Sequence, residues 1–479
     1  MSDLSPLAPS PIDAPLPTGT LVSMDDNAKL LGSDFIAGGS PWRLLRLPGG
    51  SMSVARRWRD GARVSAGEQR FARTLVQQGV MHPLFQGPLE LADVDVIIPV
   101  RENVAALRTL LGQLRGLHVT VVDDASLEPI LFEEITSHFG VALVRLGDNR
   151  GPGGARNAGA LATSRPLLWF IDDDVVIDDA REVLRRLSVQ FQDPLVGACA
   201  PRIRGARGAT IRDRFEERFS PLDLGPHAGL AMPGAVVAYV PSACLMVRRA
   251  SFGDGFDETL RRGEDVDLVW RLHDRGWLVR YLAPVVVSHR ARPTWRKWFA
   301  QRVGYGASAG ALATRHDQRV APVRTDVWTL VAWGSLLARR PMIAARVVGV
   351  VRNRVKSRVA AQSDEPDVLA NEVIVRGMLR GAGPLARSLV RTFGPALLML
   401  ALVPRLRRRA LLVFALGTAW RFRHQRPHLS DIPLALADDA AYCAGVVKGA
   451  IEQRSFVSLT PRVNPSSVRL RDVLGLKAR

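Results

Sequence analysis

Three consecutive carboxylates, Asp172, Asp173 and Asp174, stand at the tip of the apolar run "LLWFI" in a chain of net charge +19. Carboxylates are hard oxygen donors, and a cluster of them suits Mg²⁺ or Mn²⁺. On an extended strand alternate side chains share a face, so the spacing predicts that Asp172 and Asp174 hold the ion and Asp173 points away. An ion held there bridges a diphosphate and offsets charge growing on a phosphate leaving group. The plainer alternative is a solvated turn. His289 ends the run "VRYLAPVVVSH" and is a candidate third metal ligand as a neutral imidazole. "RRGEDVDLVWRLHDRGW" reads as a helix opening on Glu264 and Asp265. Acidic residues in a first turn ordinarily complement the helix dipole. Beside an acceptor hydroxyl, one of them serves instead as a general base that takes its proton.

Two further stretches carry polar groups suited to a nucleotide. "VTVVDDAS" ends in Asp123 and Asp124, either of which is placed to accept hydrogen bonds from a base or ribose. "GDNRGPGGARNAG", residues 147–159, is a glycine-rich loop entering a helix, whose N-terminus favours anions. It lacks the Lys-Ser/Thr of a P-loop and does not fit G-x-G-x-x-G. Its expected task is to pack a helix close to the nucleotide while Asn149, Arg156 or Asn157 contacts the ligand or a loop.

These groups need a frame, and the runs around them supply one. "VDVIIPV", "HVTVVDD", "VALVRLGD", "PLLWFIDD" and "LVGACAPRI" are apolar throughout, as strands covered on both faces are. "ENVAALRTLLGQLRG" and "DDAREVLRRLSVQF" separate them as helices, which predicts right-handed βαβ units, a doubly wound α/β sheet, and a crevice at the carboxyl ends of its strands. Residues 91–315 are assigned to this domain. Before it, residues 1–28 are Pro- and Ser-rich and are read as a disordered leader, without the basic and apolar regions of a secretory signal. Residues 29–90 read as a small winged-helix-like module: "SPWRLLRLP" and "SMSVARRW" as strands around Gly49-Gly50, then a helix capped by Ser65 and closed by Gly79. Such modules hold peptides by adding a strand to an exposed edge.

Residues 316–479 are read as helical, apolar and basic. "GPALLMLALVP" and "RALLVFALGTAW" are each too short to span a bilayer, and "RLRRR" separates them. They read as interfacial helices for an anionic membrane surface, with buried helices of a globular extension as the alternative. The chain has a sequence pI of about 11.1. No zinc-finger spacing or RRM-like motif accompanies its scattered basic clusters, so nucleic acid is not the expected partner. Cys199, Cys244 and Cys443 are isolated and fit small core residues in a reducing cytosol.

In order and spacing, "VDVIIPV", "VVDDAS", "NRGPGGARNAG", "FIDDD" and "RGEDVDLVWRL" resemble the family-two glycosyltransferases of GT-A fold, over residues 94–302. The resemblance implies inverting transfer of a sugar from a nucleotide diphosphate donor. It implies that Asp123 or Asp124 reads base and ribose, that Asp172 and Asp174 form the D-x-D motif holding metal and diphosphate, that Asp265 is the base, and that His289 is a metal ligand. Arg101 stands where the family commonly has a small or hydroxylated residue, and "KWFAQRVGYG" lacks the Q-x-x-R-W of processive members. The whole chain is similar to a narrower group within the family, whose N-terminal block is similar to PqqD-type peptide-recognition domains. That likeness implies glucose from UDP-glucose, a peptide-derived redox-cofactor precursor as acceptor, a peptide or maturation enzyme against residues 29–90, and work at the cytoplasmic side of the membrane. The competing readings are a cell-envelope glycolipid or polysaccharide enzyme and an inactive membrane scaffold. A nucleotidyltransferase would want a glycine-rich loop after the first strand, where "VIIPVRENVAAL" has no glycine.

Overall fold

The structure, a computed structural model, describes residues 14–47, 49–87 and 93–464. It forms two compact units, Met1–Lys29 with Gly38–Leu45 and Gly50–Arg292, and Leu30–Ala37 with Arg46–Gly49 and Pro293–Arg479.

The first unit begins where a leader is expected. Strand β1 (Leu21–Met24) is followed by β2 (Lys29–Leu31) and β3 (Phe35–Gly38), which fall mainly in the second unit, then by β4 (Arg43–Arg46), helices α1 (Ser51–Arg59) and α2 (Gln69–Gln77), and strand β5 (Met81–Leu84), which pairs antiparallel with β1. Residues 14–28 are thus part of the fold, with Leu16 buried and the Ala14 carbonyl accepting from Arg73 Nε at 2.8 Å; residues 1–13 lie outside the described residues. "SMSVARRW" is helix α1 and not a strand, because Met52, Ala55 and Trp58 recur every third residue on one buried face. Ser65 does not cap α2; the Glu68 carboxylate reaches back to the Ser65 amide at 3.1 Å. Gly79 does close this stretch, at φ +71, where a side chain would run into the Ser40 carbonyl.

The remainder of this unit is one sheet. Its strands are β6 (Val94–Val100), β7 (Val119–Asp123), β8 (Ala142–Arg145), β9 (Leu167–Ile171), β10 (Val175–Val176), β11 (Val196–Gly205), β12 (Gly229–Leu230), β13 (Cys244–Arg248) and β14 (Leu278–His289). The order is β10-β14-β11-β13-β9-β6-β7-β8, with β12 on β14. Strands β8, β7, β6 and β9 run parallel, while β13 runs antiparallel to both β9 and β11. The carboxyl ends of β6, β7, β9 and β14 and the amino end of β13 therefore share one edge. Helices α3 (Val104–Gln113), α4 (Pro129–Phe139), α5 (Gly151–Leu161), α6 (Ala180–Ser188), α7 (Ile211–Phe219), α8 (Arg249–Phe252) and α9 (Glu264–Asp274) complete the unit. Every residue of β6 and β9 is buried, which is why these strands are apolar without alternation. Glycine is required at Gly159 because a Cβ there would strike Ile97 of β6.

The second unit holds α10 (Trp295–His316), α11 (Val327–Leu337), α12 (Pro341–Val359), α13 (Pro366–Ile374), α14 (Ala382–Leu402), α15 (Arg407–Arg421) and α16 (Asp431–Glu452). The boundary falls at Pro293, not near residue 315, because α10 packs along α16: Gly306 and Gly310 lie where side chains would meet the backbone of Tyr442 and Gly449. Asp439 is buried and Asp438 half-buried among Arg302, Arg387 and Arg421. Among the described residues one helical run, Pro366–Leu402, is long and apolar enough by composition to cross a membrane. Its last part is kinked at Phe393, beside Pro395.

The N-terminal part is fastened to the sheet domain by a buried bidentate pair, Arg73 to Asp193 at 2.8 and 2.7 Å. Arg73→Ala strands a buried carboxylate, so it should cost about 3–5 kcal/mol in denaturant unfolding of the intact chain.

Candidate active site

The three aspartates do not continue β9. The strand ends at Ile171, and residues 172–174 fold into a turn in which the Val175 amide donates to the Asp172 carbonyl at 3.1 Å. Strand alternation therefore stops before it can put Asp172 and Asp174 on one face, and each carboxylate finds its own partner. Asp172 accepts from Arg156 at 2.5 Å. Asp174 is buried, 3.0 Å from His289 Nε2 and 3.2 Å from Arg292. The pairing of Val175 with His289 delivers the imidazole to this turn. Among the described residues no three His, Cys, Asp or Glu side chains converge as a ready-made metal cage.

Charge is nevertheless crowded here. Burial works against ionised Asp174, but His289 and Arg292 outweigh it and hold the carboxyl down to about 2. Burial likewise disfavours a charged His289, and Asp174 reverses the effect, so the imidazole is held above its ordinary value. Asp173 is pushed up to about 8, first by burial and then by the charges of Asp174 and Asp172. The donor set is oxygen-rich with one imidazole, three carboxyls and His289 meeting at one turn. That chemistry fits Mg²⁺ or Mn²⁺.

Arg156 ties this turn to α9. Its guanidinium is buried and donates to Asp172 and, at 3.1 Å, to Glu264 Oε1. Burial opposes its charge, but Asp172 and Glu264 hold its pKa above the ordinary value. Arg156 is thus placed between acidic groups and not at an open surface. Glu264, which its place in the first turn of α9 marked as a dipole complement or a general base, is the second half of that bridge. Beside it, burial and then the Glu264 charge push Asp265 up to about 7. The Asp265 carboxylate accepts the amides of Val266, at 2.8 Å, and Ser242. The Ala243 carbonyl accepts the Asp172 amide at 2.9 Å, so one short stretch before β13 touches both acidic groups.

The other expected residues lie along the same edge but are turned inward. Asp123 is wholly buried and accepts from the Ser126 amide at 2.9 Å and from Arg145 at 2.8 Å. Asp124 accepts the amides of Arg150 and Gly151 at 2.7 and 2.9 Å, fixing the start of α5. Asn149 Oδ1 accepts from Gly151 and from Arg261. Asn157 holds the Phe256 backbone, its Nδ2 donating to the carbonyl and its Oδ1 accepting from the amide. Arg292, Arg145 and Glu258 were not singled out in the sequence, because an arginine or glutamate outside a motif carries no signal until its partner is known; Glu258 receives Arg150 at 2.6 Å.

Residues 95–256 match the family described as glycosyl transferase family 2. Along nearly its whole length the chain is 35% identical to the pre-mycofactocin glycosyltransferase of Mycobacterium tuberculosis strain H37Rv, over 94% of this chain and 98% of that one. The chain belongs to the family 2 glycosyltransferases. It is a glycosyltransferase, and its mixed α/β sheet is a GT-A core. A shorter likeness, 39% identity over 22% of this chain and 34% of the relative, joins it to an N-acetylglucosaminyl-diphospho-decaprenol L-rhamnosyltransferase of M. tuberculosis strain H37Rv. Among solved structures, a mannosyltransferase from Pyrobaculum calidifontis in complex with GDP-Man and Mn²⁺ superposes at TM-score 0.44, with 16% identity over 77% of this chain and 91% of that one.

Arg156 stabilises the ionised form of Asp265. Arg156→Met should therefore move the Asp265 titration upward from about 7, read by carboxyl carbon NMR across pH 5–9; an unmoved midpoint would uncouple the two groups.

Proposed function

We propose that this glycosyltransferase moves a hexose, glucose from UDP-glucose, with inversion onto a peptide-derived precursor in mycofactocin biosynthesis. The observation that carries the reading is a carboxyl poised near neutrality, Asp265, joined through Glu264 and Arg156 to the aspartate turn. A base must be ionised to accept a proton yet basic enough to want it, and a pKa of about 7 meets both demands. Asp265 takes the proton of the acceptor hydroxyl as its oxygen attacks the anomeric carbon. The nucleoside diphosphate leaves from the opposite face, which inverts that centre. Asp172, Asp174 and His289 would hold Mn²⁺ or Mg²⁺, which when bound supplies positive charge for the diphosphate. The nucleoside lies over the ends of β6 and β7, with Asp123, Asp124 and Asn149 shaping the floor beneath it. The likeness to the pre-mycofactocin enzyme along nearly the whole chain supports the acceptor, and residues 29–90 are its reader in this account, for peptide or for a maturation enzyme.

The second unit supports a place on the cytoplasmic face of the membrane. Between Glu372 and Asp431 the chain carries eleven arginines and no acidic residue. Where α14 ends and α15 begins, Met399, Leu402 and Leu412 are 66%, 68% and 59% exposed, and Arg405, Arg407, Arg408 and Arg409 lie between them. Exposed apolar side chains interleaved with arginines suit the boundary between acyl chains and anionic headgroups.

Asp265→Asn keeps the shape and loses the proton acceptor. It should lower kcat by at least about 10²-fold while leaving binding of the nucleotide sugar within about twofold, measured by turnover and calorimetry. Full turnover would remove Asp265 from the mechanism, and transfer to lipid-linked acceptors alone would favour the cell-envelope reading. In flotation assays the protein should follow vesicles containing anionic phosphatidylglycerol more than neutral ones, and glutamine at Arg405, Arg407, Arg408 and Arg409 together should abolish the preference.

A further inference from the structure

The segment 231–243, between β12 and β13, has no part in the catalytic account beyond its last two residues. Its beginning is fixed on β14, where the Ala231 amide donates to the Val279 carbonyl at 2.8 Å. Met232, Val237 and Val240 are buried. At its outer turn the Val236 amide donates to Ser40 Oγ, in the N-terminal part of the same unit, at 2.9 Å. Ser40 is buried and its own amide donates to the Gly79 carbonyl at 3.2 Å, so the anchor is rigid. On the inner side Trp270 of α9 donates its indole N–H to the Ala238 carbonyl at 2.8 Å. The segment then arrives at the site, Ser242 donating to Asp265 and Ala243 accepting from Asp172.

One short strip of backbone is therefore pinned at its outer turn to the N-terminal part and at its end to the Asp172 amide and the Asp265 carboxylate. A solitary exposed apolar side chain is ordinary. Val236 is different, being 74% exposed on a backbone held by a buried hydroxyl beside the N-terminal part, only six residues before Ser242. We infer that segment 231–243 is an acceptor-specificity element: the acceptor lies against Val236 at the seam with Ser40, and the strip sets its hydroxyl against Asp265. Val236 offers an apolar contact there, which suits an apolar part of that acceptor. Val236 and Ser40 are positioning residues here, since neither touches the reacting atoms.

This inference rests on the peptide-derived acceptor proposed above. The test is steady-state transfer by the full chain at saturating UDP-glucose, with the peptide-derived precursor varied. Val236→Asp places a charge on the apolar contact and, being exposed, leaves folding intact; it should raise the acceptor KM about tenfold or more with kcat within about twofold. Ser40→Ala removes the anchor without adding bulk and should raise the same KM a few-fold, with the donor KM unmoved. An unchanged acceptor KM in both variants overturns the inference. So does a fall in kcat together with a rise in the donor KM, which marks the strip as a support of the fold. A wild-type chain that transfers only to other acceptors refutes the acceptor reading itself, and this one with it.

Discussion

A buried guanidinium shared between two acidic elements is the constraint on which the rest of the site depends. Arg156 lies on α5 with almost no exposure, Asp172 follows β9, and Glu264 opens α9. Carboxylates this close would repel one another and resist burial without a cation between them. Arg156 supplies that cation, and its planar fork addresses both partners at once. Its own position requires that α5 lie close to the sheet, which Gly159 permits against Ile97 and Asp124 enforces by gripping the amides of Arg150 and Gly151. The glycine-rich loop thus serves the active edge indirectly, by seating the helix that carries Arg156.

The same arrangement divides the labour among carboxyls that look alike in sequence. Asp174, between His289 and Arg292, is held firmly ionised, whereas Asp265, beside Glu264, is held near neutrality. Two environments push two chemically identical groups in opposite directions, which is how one site provides both a fixed charge and a proton acceptor. The short stretch Ser242–Ala243 reaches Asp265 and the backbone of Asp172 in the aspartate turn, because β13 enters the sheet antiparallel to β9 and so begins where β9 ends.

Much of this was legible from the chain. Continuous apolar runs announced strands, and the sheet contains each of them, from Val94–Val100 to Val196–Gly205; Ala142–Arg145 alone among these is not buried, because β8 is an edge strand. The aspartate turn, His289 and the head of α9 stood out by residue type, and they do share one edge. Other readings turned on periodicity. "SMSVARRW" lacks strand alternation, and Met52, Ala55 and Trp58 at spacing three mark a helix. The Pro-rich start hid a strand, because β1 pairs with β5 some sixty residues away and four residues carry too little pattern to announce it.

Residue type, order and spacing determined the fold class, the family likeness and the set of groups able to do chemistry, because backbone propensity and apolar patterning are local properties written residue by residue. The tertiary structure alone decided which carboxylate meets which cation. Arg156 is sixteen residues from Asp172 and over a hundred from Glu264, and His289 is likewise over a hundred from Asp174. Such pairings depend on where helices and strands come to rest in three dimensions. They set the burial and the neighbouring charge, and hence the ionisation, of every group at the active edge.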